Sequence, residues 1–373
     1  MKVAIVTPRY PPRSSGGGEQ STKLLATQLT TQDRIDRVTV FSFDGTGSTM
    51  RDGVEIRRLG SVSSFITELQ NLSVASKLRG RLASYDIIHT YNMELNPIVG
   101  YLSTREGTPS VASLNSYHFF HSSVTNTTAE GLERVYELVG MPTTGRILRY
   151  LMKLNDAFIA LSRASREVYH QHGFDGIEID YVPNMIDPSF ELPTRDLTDG
   201  FQLLYVGSLS ENKGVRYLIE AMSRLPKRYE LRIVGDGERK EDLQALTRNL
   251  GAADRTTFRG RVPHDQIGQE YASADIFVHP GIWQEPFGRT ILEAMLAELP
   301  VVCTDIGGPP EIVPTEELIC KPADPAAIST AIQRVEELPD DVGERNRRYA
   351  VENYSPSVVV PQIVDIYERL VSQ

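Results

Sequence analysis

The stretch Gln284-Glu285-Pro286-Phe287-Gly288-Arg289-Thr290-Ile291-Leu292-Glu293-Ala294-Met295 decides how this chain is read. Pro286 fixes its own φ and disfavours helical backbone at Glu285, so a helix starts only after it, at about Phe287 or Gly288. Glu285 is thereby left in a loop. Beyond it, Ile291, Leu292, Met295, Leu296 and Leu299 fall on one stripe at helical spacing, and Glu293 points roughly 130° away from the centre of that stripe. Glu293 is therefore expected outside the core. One carboxylate precedes the helix, a second stands about one turn inside it, and the amides of Phe287, Gly288 and Arg289 between them form the positive end. Such an end suits an anion flanked by hydroxyls. Two unrelated surface glutamates would give the same local pattern, so the wider sequence has to separate the two readings.

Working outward, Ala274-Asp275-Ile276-Phe277-Val278-His279-Pro280 reads as a strand ending in a turn, and Leu299 through Glu311 as strand, glycine turn and helix start. The same alternation of short β-branched runs with longer amphipathic ones fills the chain, which argues for parallel sheets made of βα units. Strands are expected at 2–7, 38–43, 86–89, 110–114 and 157–161, with helices around 18–31, 65–83, 130–139, 145–154 and 163–172. A second series starts at Phe201 and repeats the plan with strands near 231–234, 256–259, 275–279 and 300–304. Pro183 through Gly200, polar and proline-bearing, reads as the hinge, and a last helix is expected at 357–371. A chain of 373 residues suits two domains of about 190 residues each.

Composition narrows the function class. With 40% hydrophobic and 24% charged residues the chain is an ordinary globular one, and a net charge of −10 leaves no domain-wide basic excess for nucleic acid. Two cysteines, Cys303 and Cys320, give neither a disulfide framework nor a metal cluster. The start Met1-Lys2-Val3-Ala4-Ile5-Val6-Thr7 is too short for a signal peptide, and no apolar run reaches the roughly eighteen residues that span a bilayer. A reduced, cytoplasmic setting is the expectation.

Ligands of open parallel sheets bind at the carboxyl ends of strands. The first such loop, Ser14-Ser15-Gly16-Gly17-Gly18-Glu19, lacks the dinucleotide G-x-G-x-x-G spacing, which speaks against a dehydrogenase, yet its glycines permit close approach to a phosphate. Val206-Gly207-Ser208-Leu209-Ser210-Glu211-Asn212-Lys213-Gly214 follows a strand and opens a helix, with Lys213 as the cation for a phosphate. Ile233-Val234-Gly235-Asp236-Gly237 is another strand-to-glycine turn, followed by Phe258-Arg259-Gly260-Arg261-Val262-Pro263. In the first half, Asp86 to Asn92 and Pro109 to Phe120 are the matching strand ends.

In order and spacing these pieces resemble the retaining glycosyltransferases of family 4, strongly over 200–315 and weakly over 1–190. The resemblance implies an α/β chain with the GT-B fold: two doubly wound Rossmann-like domains facing across a cleft, the last helix crossing back to the first domain. It places the acceptor-side domain at 1–190, with 356–373 returning to it, and the nucleotide-sugar domain at 191–355. It puts Glu285 on the hydroxyls of the transferred sugar and Glu293 on the ribose. It lays Gly17, Gly18, Gly207, Lys213 and the amides of Phe287, Gly288, Arg289 and Thr290 along the diphosphate. Gly235 then lines the nucleotide pocket and Val262 meets the base. Two departures stand out. Ser208 occupies a place where the family usually carries an arginine, with Arg289 near enough in sequence to compensate in part, and Asn115 occupies a place where the family has a histidine against the transferred sugar. Asn115 can donate a hydrogen bond but cannot carry a proton; His118, one helical turn on, is a further catalytic candidate or a surface histidine.

No D-x-D pair is present, so no metal is expected, and amides with Lys213 stand where other nucleotide-sugar transferases hold an ion. The activity implied is transfer of a hexose from a UDP- or GDP-sugar to a glycan or lipid-linked acceptor. An epimerase or phosphorylase of the same fold, and a catalytically silent nucleotide-sugar-binding subunit, are the alternatives. Segments 65–82, with Lys77, Arg79 and Arg81, and 145–153, with Arg146, Arg149 and Lys153, read either as solvated faces or as contacts to the inner face of the cytoplasmic membrane.

Overall fold

The computed structural model describes residues 1–13, 16–62, 67–125, 129, 131–193 and 201–372. Ser14 and Ser15 of the glycine loop, Phe65 at the head of the second expected helix, position 130 and the hinge residues 194–200 lie outside the described residues. The chain divides into two compact units. One comprises Met1–Val124, Thr128–Met185 and Pro356–Gln373; the other comprises Ile186–Ser355 with a short piece at 125–127.

In the first unit, β1 (Lys2–Val6), β2 (Arg37–Ser42), β3 (Thr46–Arg51), β4 (Val54–Leu59), β5 (Ile87–Thr90), β6 (Ser110–Leu114), β7 (Ala157–Ala160) and β8 (Asp180–Tyr181) form one sheet. Its order is β3-β4-β2-β1-β5-β6-β7-β8, parallel except where β3 runs against β4. Both faces are covered, as a parallel sheet demands. On β1, Val3 and Ile5 enter one apolar cluster while Ala4 and Val6 enter the other, the two-residue alternation of a strand. The helix Pro356–Val371 supplies Val359, Val360, Ile363, Val364 and Tyr367 to the cluster of Val3 and Ile5, so the chain's last helix is part of the first unit's core. That is the crossing-back helix of the GT-B fold.

The second unit holds β9 (Phe201–Val206), β10 (Tyr229–Val234), β11 (Thr256–Gly260), β12 (Ile276–His279), β13 (Val301–Thr304) and β14 (Ile319–Cys320). These pair in the order β11-β10-β9-β12-β13-β14, with every pairing parallel. Counted from β9, this is the 3-2-1-4-5-6 order of the Rossmann fold, with its topological switch between β9 and β12. In the first unit the corresponding switch lies between β1 and β5.

The expected strands are found to within a residue or two; the elements outside the expectations include the β3–β4 hairpin and the helix Asn96–Glu106. The β3–β4 hairpin forms the sheet edge, and Thr-Gly-Ser-Thr-Met-Arg along β3 is exposed throughout, so it carries no alternation to read. The helix Asn96–Glu106 carries Pro97 in its first turn and ends at Gly107, whose φ of 70° closes it. The expected helix at 130–139 is instead a short helix, Gly131–Val135, continued by one π-turn at Tyr136–Gly140.

Candidate functional site

At the switch of the second unit, β9 delivers the segment Gly207 to Lys213 and β12 delivers Pro280 to Glu285. The two are joined by Ile282 N–H donating to Asn212 O at 2.9 Å. Glu285 lies outside any helix, and the helix begins at Arg289, with Gly288 as N-cap. The Glu285 backbone is clamped by the turn after β13: Gly308 N–H donates to Glu285 O at 2.7 Å. Gly307, at φ 70°, sits so close that a Cβ there would lie 2.5 Å from Glu285 N. Any other residue at 307 would displace Glu285.

Lys213 Nζ donates to both oxygens of the Glu285 carboxylate, each at 2.8 Å. Two further groups converge on Oε2: Trp283 Nε1–H donates at 3.0 Å and His279 Nε2 lies at 3.2 Å. The Lys213 ammonium also stands 4.9 Å from the centre of the Trp283 indole ring. Lys213 and Glu285 side chains are 19% and 15% exposed. Burial alone would raise the carboxyl's pKa, but the Lys213 charge and then His279 overcome it and hold Glu285 well below the usual carboxylate range. It is an anion with its donors already in place.

Glu293 is not a solvated helix side chain. Tyr271 Oη–H donates to Glu293 Oε2 at 2.8 Å, and Arg289 Nε lies 3.4 Å from Oε1 across one helical turn. Burial, then the Glu293 charge, raises the Tyr271 phenol far above its ordinary pKa, so it stays a donor. Arg289 also lies 3.4 Å from His264. Its guanidinium is thus engaged with Glu293 and His264, whereas the Ser208 hydroxyl meets Ser210, which gives no support to compensation of Ser208 by Arg289. Phe287 is buried against Tyr354. Bonding within the helix starts at Ile291 N–H, which reaches Gly288 O at 3.0 Å, so the amides before it, Thr290 included, have no acceptor inside the helix.

The glycines expected along the nucleotide lie side by side at the strand ends. Gly207 N–H donates to Val234 O at 3.0 Å and Gly235 N–H to Gly260 O at 2.8 Å. Gly235 has φ 142°, and a Cβ there would meet Gly207 O at 1.8 Å, so only glycine fits. Val262, half-buried, stands two residues after Gly260.

In the first unit, Gly17 and Gly18 open the helix Gly17–Leu29. Asn92, beyond β5, accepts from Thr7 Oγ1–H at 2.8 Å, and its Nδ2 lies 3.3 Å from where a Gly18 Cβ would be. Asn115, at the end of β6, accepts from Met93 N–H at 3.4 Å. Asn115 therefore sits beside the residue after Asn92, next to the switch of this sheet. His118 is exposed, and its Nε2 pairs with Thr67 Oγ1 at 2.7 Å, at the start of the helix Thr67–Leu78. Four partners were not foreseen: His279, Trp283, Tyr271 and Asn92. Trp283, the chain's single tryptophan, stands two residues before Glu285 and was within reach of a sequence argument; the other three meet their partners only through the fold.

Several large apolar side chains of the first unit stand exposed: Leu69 and Leu72, Val135, Leu138 and Val139, and Ile147 and Tyr150. A bond from Thr144 Oγ1–H to Glu68 ties the helix Thr144–Met152 to the helix Thr67–Leu78. Lys77 donates to Leu59 O at 2.8 Å, and Arg149 to Phe119 O at 3.1 Å.

Residues 15–190 match the family described as Glycosyltransferase Family 4, and residues 194–354 match Glycosyl transferases group 1. Over 99% of its length the chain is 26% identical to an uncharacterised glycosyltransferase of Methanocaldococcus jannaschii, spanning 98% of that protein. It is 29% identical to the 2-deoxystreptamine glucosyltransferase of Streptomyces kanamyceticus, over 44% of this chain and 46% of that one. Among solved structures, sucrose-phosphate synthase from Thermosynechococcus elongatus superposes with TM-score 0.82 at 20% identity, covering 100% of this chain and 99% of that one. Anabaena HepE in complex with UDP-glucose superposes with TM-score 0.74 at 20% identity, covering 99% and 100%.

Proposed function

Because the chain belongs to the group 1, family 4 glycosyltransferases and has their GT-B fold, we propose that it transfers a hexosyl group from a UDP- or GDP-sugar to a glycan or lipid-linked acceptor, with retention of configuration and without a metal. The observation that carries this reading is an ionised, triply bonded Glu285 at the switch point, next to the amide end of the helix Arg289–Leu296.

When the bond between the anomeric carbon and the phosphate oxygen breaks, negative charge builds on the departing diphosphate. Preorganised donors aimed at that charge lower the barrier without rearranging. The amides of Phe287, Gly288, Arg289 and Thr290 and the Lys213 ammonium are such donors; Gly207, with Gly17 and Gly18 on the first unit, lets the backbone approach the diphosphate, and Gly235 lines the nucleotide pocket. Glu285 accepts from hydroxyls of the sugar, and Glu293, steadied by Tyr271, from the ribose. Val262 meets the base. Asn115 contacts the sugar without moving a proton, which leaves proton transfer to the reacting groups themselves; His118, bonded to Thr67, is the weaker of the two first-unit candidates.

No helix among the described residues is long and apolar enough to cross a membrane. The exposed apolar residues of 67–78 and 135–150, with Arg146 and Lys153 beside them, support peripheral contact with an anionic membrane at its cytoplasmic face. Lys77 is occupied by the Leu59 carbonyl and is left out of that contact.

The test is a thermal-shift screen of UDP-, GDP- and ADP-sugars, since a ligand of the folded form raises its melting temperature. A nucleotide sugar that stabilises the chain and gives up its sugar only when an acceptor is supplied is the expected result. No shift with any of them would overturn the reading.

A further inference from the structure

Glu285 has more donors than its sugar contact requires, and they are not equivalent. Lys213 is a mobile ammonium on a flexible stem; His279 and Trp283 are rings, His279 fixed on β12 and 5% exposed. Lys213 touches both carboxylate oxygens, whereas His279 and Trp283 both reach Oε2 alone. A diphosphate arriving at this strand end competes for the one ammonium, and the oxygen it would release is Oε1.

His279 is otherwise hard to account for. Its Nδ1 is buried and without a hydrogen-bond partner among the described residues, a cost that an apolar side chain at the same place would avoid. The bond it makes in exchange is to Glu285, whose ionised carboxylate only accepts, so Nε2 carries the proton. The other ionisable groups facing Glu285 are Lys213 and Tyr205, and the Tyr205 hydroxyl donates elsewhere, to Ser208 O at 2.8 Å.

We propose that His279 is a positioning residue: with Trp283 it forms a two-donor seat that holds Oε2 of Glu285 while the donor's phosphates draw Lys213 away and leave Oε1 to a sugar hydroxyl. This rests on the assignment of Glu285 to the sugar and Lys213 to the diphosphate. The seat makes sugar recognition depend on His279, and nucleotide recognition independent of it.

Trp283 is the single tryptophan, so its emission reports the site directly. Wild type, His279→Leu, which fills the volume without a donor, and His279→Gln, which restores one, are titrated with UDP-glucose and UDP, and with GDP-mannose and GDP. Melting curves accompany each protein, with His279→Ala replacing His279→Leu if the latter fails to fold. For the pair that wild type binds, His279→Leu should keep nucleoside diphosphate affinity within about twofold and lose about tenfold or more of the added affinity due to the sugar. His279→Gln should recover most of that loss. The proposal is overturned if diphosphate and nucleotide-sugar affinities fall together, if neither changes, or if His279→Gln behaves like His279→Leu. Wild-type protein that binds none of the four probes defeats the functional reading itself, a result separable from any effect of the substitutions.

Discussion

Replacing Lys213 by methionine keeps the stem and removes the charge from the Glu285 carboxylate. Breaking a buried ion pair from one side costs about 3–5 kcal/mol, because the remaining charge is left uncompensated. Here Trp283 and His279 remain on Oε2, and the two side chains keep some contact with water. A loss of about 2–3 kcal/mol is therefore expected at neutral pH. At about 2–4 °C per kcal/mol for a unit of this size, the melting temperature should fall by roughly 4–12 °C. Trp283 lies in the affected unit, so its fluorescence follows the relevant transition even if the other unit melts separately.

The pH dependence tests the cause. In the wild type the Glu285 pKa is depressed on folding: burial pushes it up, and Lys213 followed by His279 pull it further down. A carboxylate with a depressed folded pKa stabilises the fold above its unfolded value of about 4.3, and that contribution is lost as pH falls toward the folded value. Lys213→Met removes the largest lowering influence, so the folded pKa rises and burial is left to act. The gap between variant and wild type should be widest near pH 7 and narrow below about pH 4.5. Lys213→Met combined with Glu285→Gln should recover much of the loss at pH 7, because the stranded charge is gone. Melting temperatures within about 1 °C of wild type at both pH values would refute the ion pair as the organising contact.

Glu293→Ala should weaken nucleoside diphosphate binding by about tenfold, read by calorimetry, as loss of a charge-assisted bond implies; Glu285→Ala should chiefly lower turnover, and equal, trivial effects of both would count against the two roles. The chain should sediment with phosphatidylglycerol vesicles and less with phosphatidylcholine, and Leu138→Asp with Val139→Asp should abolish it. Failure of wild type to bind the anionic vesicles would remove the membrane contact.

What the sequence made legible was what local chemistry determines. Pro286 and the apolar stripe after it placed Glu285 in a loop and Glu293 inside a helix, and both are found there. The short apolar, β-branched run placed the inner strands of both sheets, because both of their faces are buried. That signal failed for β3, which is exposed along its whole length and carries no such run. It also gave no sign of what Glu293 touches. Its angle from the stripe put it outside the core, and there Tyr271, from a different helix, covers it. A carboxylate off the core stripe can still be covered by a neighbour that the periodicity of its own helix does not encode.

The two departures from the family pattern bear on the same charge. Where an arginine would share the diphosphate, Ser208 offers a hydroxyl already bonded to Ser210, and Asn115 brings no proton to the sugar side. Under the proposed function, Lys213 is then the cation that meets the diphosphate, and it begins bound to Glu285. Moving it toward phosphate is tolerable only if Glu285 does not become a bare buried anion, since that desolvated charge would oppose donor binding. In the nucleotide sugar a sugar hydroxyl takes the place of the ammonium at Oε1, and the fixed N–H groups of His279 and Trp283 on Oε2 hold the carboxylate toward it. The serine at 208 and the histidine at 279 are in this way parts of one electrostatic arrangement, in which a single ammonium is shared between the carboxylate and the leaving group.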